Sequence, residues 1–90
     1  MKVDSEINHL ELENKTNILM LRYYNDKIET YDRIYYQLSE KSPKLIKEPE
    51  NYISKNEDEK QNESYTVNCD SYGKMVKIYK GKDKKFIGKF

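Results

Sequence analysis

Few side chains in this 90-residue chain have the chemistry of a catalyst. His9 is the only histidine and Cys69 the only cysteine. General-base or metal work by an imidazole needs an orienting partner and further ligands at defined spacing. On the helix expected around it, His9 lies near Asp4, Ser5 and Glu13 and reads as an exposed helix histidine. A nucleophilic thiol needs a base and cationic surroundings. Cys69 instead alternates with strand residues and reads as a small buried side chain. A single cysteine excludes an intramolecular disulfide and a cysteine-built metal site. Ser5, Ser39, Ser42, Ser54, Ser64 and Ser71 sit in no nucleophile motif, and Gly73, Gly81 and Gly88 are too widely spaced for a phosphate loop. The sequence therefore predicts a non-enzymatic protein with no catalytic residue, metal or cofactor.

The residues that remain are suited to contact. Tyrosine, present nine times, joins a large apolar ring to a polar tip and is enriched in binding hot spots. Five tyrosines, at 23, 24, 31, 35 and 36, lie within fourteen positions of one another. Charge is balanced over the whole chain but not along it. Residues 1–63 hold 10 Lys/Arg against 14 Asp/Glu, a net −4, whereas residues 64–90 hold 7 Lys against 2 Asp, a net +5. A polyanion-binding surface is expected at the C-terminal end. There Lys74, Lys77, Lys80, Lys82, Lys84, Lys85 and Lys89 interleave with Tyr72, Tyr79, Phe86 and Phe90, cations for phosphates and rings for bases. The competing reading is a solvated face whose lysines keep sheet edges from pairing with other chains.

These residues need elements to position them. Counting three and four residues alternately from Val3 lands on Ile7, Leu10, Asn14, Asn17, Leu21, Tyr24, Ile28, Tyr31, Tyr35 and Leu38, the seam of a two-helix coil. Asp4 and Ser5 suit an N-cap, Glu6 the positive end of the helix dipole, and Pro43 ends the run. The expectation is a coiled-coil-like helix over 4–40, about 55 Å long. Its weak place is Asn14-Lys15-Thr16-Asn17, which reads either as buried coil asparagines or as a turn after a short helix at 5–13. In a parallel homodimer Glu6 would face Glu11 and repel, while Lys27 and Asp32 would attract. Residues 18–36 also carry apolar side chains off the seam, so Met20, Tyr23, Ile34 and Tyr36 are expected to meet a partner or the C-terminal segment.

Residues 43–63 read as a polar linker, with a short helix possible after Pro49. From Tyr65 the period changes to two. Residues 64–70, 74–80 and 85–90 read as a three-stranded antiparallel meander, marginal without a cover. The fold expected is thus α+β in one small domain: a helical segment 1–42, the linker 43–63 and the meander 64–90.

Hydrophobic residues make up 36% of the chain and charged residues 37%, so the core is expected to be thin or completed by another chain. The functional expectation is a protein–protein interaction module. It would form homodimers through the helix seam and regulate or inhibit a larger complex through an unidentified protein partner. Nucleic-acid binding through the C-terminal lysines is the alternative, and a structural subunit of a phage or plasmid assembly is a third. The absence of alanine and the abundance of Lys, Asn, Ile and Tyr suggest an AT-rich genome, such as a low-GC bacterium, its phage or another mobile element. With no apolar leader-like run at the N-terminus and no apolar stretch of membrane-spanning length, a cytoplasmic protein without membrane contact is expected, in the host cell if phage-encoded.

Overall fold

Over residues 6–39, where the spacing predicts part of a long helix, the chain runs as strands joined by turns. The structure is a computed structural model that describes residues 6–39, 41–70 and 72–89. Val3, Asp4, Ser5, Ser71 and Phe90, which figure in the expectations above, and residue 40, the last of the expected helix, lie outside the described residues. Among the described residues there is no helix, and the coiled coil is overturned with it. Four strands, β1 (Ile7–Leu12), β2 (Ile18–Asn25), β3 (Thr30–Gln37) and β4 (Lys44–Ile46), form one antiparallel sheet in sequential order. Three more, β5 (Tyr65–Cys69), β6 (Val76–Lys80) and β7 (Lys85–Lys89), form a second. The chain is all-β rather than α+β.

Local chemistry explains the correction. Between Ile18 and Tyr36, nine residues are β-branched or aromatic (Ile18, Tyr23, Tyr24, Ile28, Thr30, Tyr31, Ile34, Tyr35 and Tyr36). Such side chains lose rotamer freedom on a helix and pack well on a pleated surface. The Asn14–Asn17 segment is a turn, but it joins two strands. The Glu13 N–H donates to the Ile18 carbonyl at 2.9 Å, and Asn17 takes a left-handed φ of 57°. A second four-residue turn follows Asn25, whose side-chain oxygen accepts the Lys27 N–H at 3.0 Å, and Glu29 closes it with φ 54°. Asparagine tolerates the left-handed region better than most residues, which suits Asn17, while Asn25 marks the second turn through its side-chain bond to the backbone. The helix considered after Pro49 is a single turn, with the Tyr52 N–H donating to the Pro49 carbonyl at 3.3 Å.

The two sheets face each other over one core. Leu10, Leu12, Leu19, Leu21, Ile34, Tyr36 and Leu38 from the first pack against Tyr65, Val67, Val76 and Ile78 of the second. Each large side chain so buried contributes about 2 kcal/mol. The first sheet also buries part of its opposite face, where Ile18, Met20 and Tyr35 lie beneath Ile46 and Tyr52. The Tyr35 and Tyr52 rings meet edge to face at 5.0 Å. Ile18 to Leu21 is therefore buried on both sides, which accounts for an apolar run with no alternation. The excess of apolar side chains in 18–36 is consumed by two layers of packing.

Residues 54–63, polar throughout, are not a free linker. The Leu12 N–H donates to the Glu59 carbonyl at 2.8 Å, and the Glu59 N–H returns a bond to Leu10 at 3.1 Å. One residue further on, the Lys60 carbonyl accepts the Val67 N–H at 2.7 Å. This segment thus hydrogen-bonds to the free edge of β1 and to the free edge of β5, and it staples the two sheets along one side. The radius of gyration, 12.5 Å, matches the roughly 12 Å expected of a folded chain of this length.

Candidate functional site

The alternation that sends Val67, Val76 and Ile78 into the core sends their neighbours outward. On the outer face of the second sheet, two rows of side chains run across the strands. Asn68 on β5 lies opposite Lys77 on β6, which lies opposite Lys89 on β7. Beside this row, Thr66 lies opposite Tyr79, which lies opposite Phe86. The Tyr79 and Phe86 rings touch at 5.7 Å with an angle of 65° between their planes, and Phe86 is 50% exposed. A register shift between Ile78 and Tyr79 brings Phe86 opposite Tyr79. Like charges directly opposite one another destabilise a sheet, so the Lys77–Lys89 pair has a cost that an anion relieves.

The other C-terminal lysines surround this face. Lys82 and Lys84 lie in the β6–β7 turn, which begins at Gly81 (φ 75°) and ends at Lys84 (φ 51°). Lys85 starts β7 opposite the half-buried Lys80. Lys74 lies in the β5–β6 turn, where Asp70 Oδ1 accepts the N–H groups of Lys74 at 2.7 Å and Met75 at 3.3 Å. These backbone bonds hold the Asp70 carboxyl below its ordinary range. Asn68, Asp70, Met75, Lys77 and Tyr79 border a depression of about 270 Å³ that Cys69 also lines. Burial pushes the Cys69 thiol up, which suits packing and opposes nucleophilic use.

The stripe expected to mediate self-association is divided among unrelated places. Leu10, Leu21 and Leu38 are in the core, Ile7 packs against it, and Tyr35 is buried on the opposite face. Asn14 and Asn17 are turn residues, and Asn17 Oδ1 accepts a hydrogen bond from Asn62 at 2.7 Å. Only Tyr24, Ile28 and Tyr31 are left together on the surface, at the far end of the β2–β3 hairpin. Ile28 and Tyr31 are each 56% exposed. The Tyr24 and Tyr31 rings meet edge to face at 5.6 Å, and the Arg22 guanidinium lies 5.1 Å from the Tyr31 ring centre. Of the residues expected to meet a partner, Met20, Ile34 and Tyr36 are buried, and Tyr23 is half-buried with its hydroxyl donating to Asp32 at 3.3 Å.

His9 departs most from its expected place. It is 6% exposed, with Nε2 2.8 Å from Glu11 Oε2 and Nδ1 2.7 Å from Asp58 Oδ1. An imidazolium donates from both nitrogens and satisfies both carboxylates. Glu11 is also buried and accepts the Ser54 hydroxyl at 2.7 Å, the Lys55 N–H at 2.8 Å and the Tyr52 hydroxyl at 3.4 Å. Burial alone would raise its carboxyl, but the hydrogen bonds from Ser54, Lys55 and His9 outweigh burial and hold it low. Burial beside Glu11 pushes the Tyr52 phenol well up. The cluster ties the 52–58 loop to β1. It does not build a serine–histidine pair, because the Ser54 hydroxyl is directed at Glu11. His9 and Glu11 stand two apart, the spacing of strand neighbours on one face, and that spacing was the signal available in the sequence.

Comparison with protein-family models, curated proteins and solved structures finds no match for this chain.

Proposed function

We propose that this protein is a non-enzymatic binding protein that holds nucleic acid on the outer face of its second sheet. The observation that carries the reading is the pairing of Lys77 with Lys89 next to the Tyr79–Phe86 ring pair. Two cations held opposite one another are suited to a polyanion, and rings on the same face accept unpaired bases. The net charge of +5 on residues 64–90 adds an attractive field. The occupied imidazole nitrogens of His9, the direction of the Ser54 hydroxyl and the raised Cys69 thiol support a role without catalysis.

Fluorescence anisotropy with labelled single-stranded RNA and DNA tests this. Neutralising about four phosphates gives a slope of log affinity against log salt near −3 for a single strand. The double variant Lys77→Glu, Lys89→Glu loses most of the affinity and flattens the slope. Retention that is insensitive to salt, or unchanged in the variant, rules the reading out.

A second reading has its own observation. Tyr24, Ile28 and Tyr31 form an exposed aromatic and aliphatic group at one hairpin end, the composition of a contact with another protein. Self-association there, or attachment to a larger complex that the protein regulates, fits this group. Sedimentation at tens of micromolar, with and without Tyr24→Ser and Tyr31→Ser, tests the self-contact. A dimer that the variant dissociates supports it, and a wild-type monomer removes it.

A further inference from the structure

We infer that the unpaired half of β3 docks an extended peptide of another protein, which adds to the first sheet as a strand with an acidic side chain facing Arg33 and an apolar one facing Tyr31. β3 runs from Thr30 to Gln37, but β4 pairs only with Tyr35, Tyr36 and Gln37. Residues 30–34 therefore have no strand on the side away from β2 among the described residues. The register identifies the backbone groups left there. The Leu38 N–H donates to the Asn17 carbonyl at 3.0 Å, and β2 pairs with β3 without a bulge. Antiparallel bonding alternates along a strand, so residues 30, 32 and 34 bond to β2, and Tyr31 and Arg33 present their N–H and C=O groups to the open side. The Arg33 N–H is covered by its neighbour: Asp32 Oδ1 accepts it at 2.8 Å, while Oδ2 accepts the Tyr23 hydroxyl at 3.3 Å. A carboxylate so placed guards an edge against indiscriminate pairing. Both groups of Tyr31 and the Arg33 carbonyl have no backbone partner among the described residues.

A groove of about 630 Å³ runs beside this stretch, between residues 31–35 and residues 45–48, where the chain leaves β3 after Ile46. Open donors and acceptors along a groove suit an extended main chain. Charge selects its side chains. By alternation Tyr31 and Arg33 lie on the face where Tyr35 is buried. There Arg33 stands directly opposite Arg22, and Tyr31 opposite Tyr24. Glu48 lies 4.0 Å from Arg33 and accepts the Tyr35 hydroxyl at 2.7 Å, so one carboxylate meets two guanidinium groups, and Lys47 borders the groove as well. The position facing Arg33 thus takes Glu or Asp. The position facing Tyr31, which is exposed with Tyr24 and Ile28, takes an apolar side chain. A second copy does not fit. Symmetric antiparallel pairing of residues 30–34 with themselves sets Asp32 opposite its own copy, and like charges directly opposite destabilise a sheet. The site lies on the first sheet, away from the lysine face, so it stands or falls without nucleic acid.

The probe is the acetylated and amidated peptide Thr-Thr-Glu-Thr-Val-Thr, added to the isotope-labelled full chain and followed by amide NMR shifts and hydrogen exchange. Running antiparallel to β3, as β4 does, it sets Glu against Arg33 and Val against Tyr31. Saturable shifts centred on the Tyr31 and Arg33 amides are expected, with slowed exchange of the Tyr31 N–H. Replacing the peptide's Glu by Lys weakens binding by about fivefold. N-methylation of its Val amide, which donates to Tyr31, abolishes binding, whereas N-methylation of the threonine between Glu and Val, which points away, preserves it. Asp32→Ala bares the Arg33 N–H and tightens binding by about fivefold. The peptide series uses the wild-type chain, so it decides the matter even if Asp32→Ala folds poorly. No shift at these amides with millimolar peptide, or equal binding of the two N-methylated peptides, overturns strand addition. Equal or tighter binding of the Lys peptide overturns the charge assignment. Shifts of the same amides with protein concentration alone identify a second copy as the occupant and overturn the peptide partner.

Discussion

The Ile7 N–H donates to the Gly73 carbonyl at 2.7 Å, and a methyl group placed on Gly73 would stand 2.5 Å from the Ile7 carbonyl oxygen. The β5–β6 turn therefore rests directly on the backbone of β1, at a position whose φ of 68° already disfavours any side chain. Gly73→Ala is expected to lower stability by at least about 2 kcal/mol, from left-handed strain plus one broken hydrogen bond. Gly81 is the control. It has a similar φ, 75°, but a methyl group there would meet nothing within 4 Å, so Gly81→Ala should cost only about 1 kcal/mol. Urea midpoints of the two variants measure the difference, and equal losses would show that the contact with Ile7 is unimportant.

Leu21 and Ile28 separate a sheet from a coil. In a helix seam both would be core positions and both would be costly to truncate. In the structure Leu21 is fully buried between the sheets and Ile28 lies in an exposed turn. Leu21→Ala should destabilise by about 3 kcal/mol, and Ile28→Ala by no more than about 0.5 kcal/mol. Far-ultraviolet circular dichroism supplies an independent check, because the structure calls for a β spectrum without helical minima.

Acid should loosen the 52–58 loop through Glu11. Its folded carboxyl is held below the ordinary value of 4.5. A group depressed in this way contributes stability that is fully present above its unfolded value and is lost as pH falls through its folded value. Asp70, depressed by backbone N–H groups, acts in the same direction. The urea midpoint should therefore decline as pH drops below about 4.5. Glu11→Gln should lower the midpoint near neutrality by about 2–3 kcal/mol equivalent, and its acid slope should be shallower than that of the wild type. Parallel slopes would assign the acid loss to other groups.

Lys77→Glu should improve folding while harming binding. It replaces a like-charge pair with an opposite-charge pair across β6 and β7, which favours the sheet by about 0.5 kcal/mol. If the row holds a phosphate backbone as proposed, the same change reverses one charge that would face it, so affinity for single strands should fall by about tenfold or more. Thermal midpoint and anisotropy on the same preparation check both signs. A variant that is less stable and still binds would contradict the assignment of this row.

The second sheet was the most legible part of the fold. Tyr65, Val67 and Cys69 alternate with polar residues because one face packs and the other meets solvent, and a period of two is the direct record of that. The first sheet left no such record. Ile18 to Leu21 is buried on both faces, so alternation disappears, and turn spacing let Leu21 and Tyr24 mimic one helix stripe although they occupy opposite faces. The β-branched and aromatic content, with asparagine-rich turns at 14–17 and 25, carried the contrary signal. On the outer face of the second sheet, the lysines were visible as a basic segment. The Lys77–Lys89 register and the place of Asn68 were not, because both depend on pairing between strands. The His9 cluster was hidden for a related reason: Asp58 reaches His9 from a polar segment 49 positions away.

The staple at Glu59 and Lys60 bears on how the chain acquires its shape. Bonds from Leu10 and Leu12 to Glu59 close a loop of nearly fifty residues, and non-local pairings of this kind slow folding. A nascent chain that has delivered only the first sheet has no second layer to cover its leucines and no strand to quiet the edge of β1. The native arrangement becomes available when the C-terminal third arrives, so truncation within it should yield an aggregating chain rather than a smaller folded one.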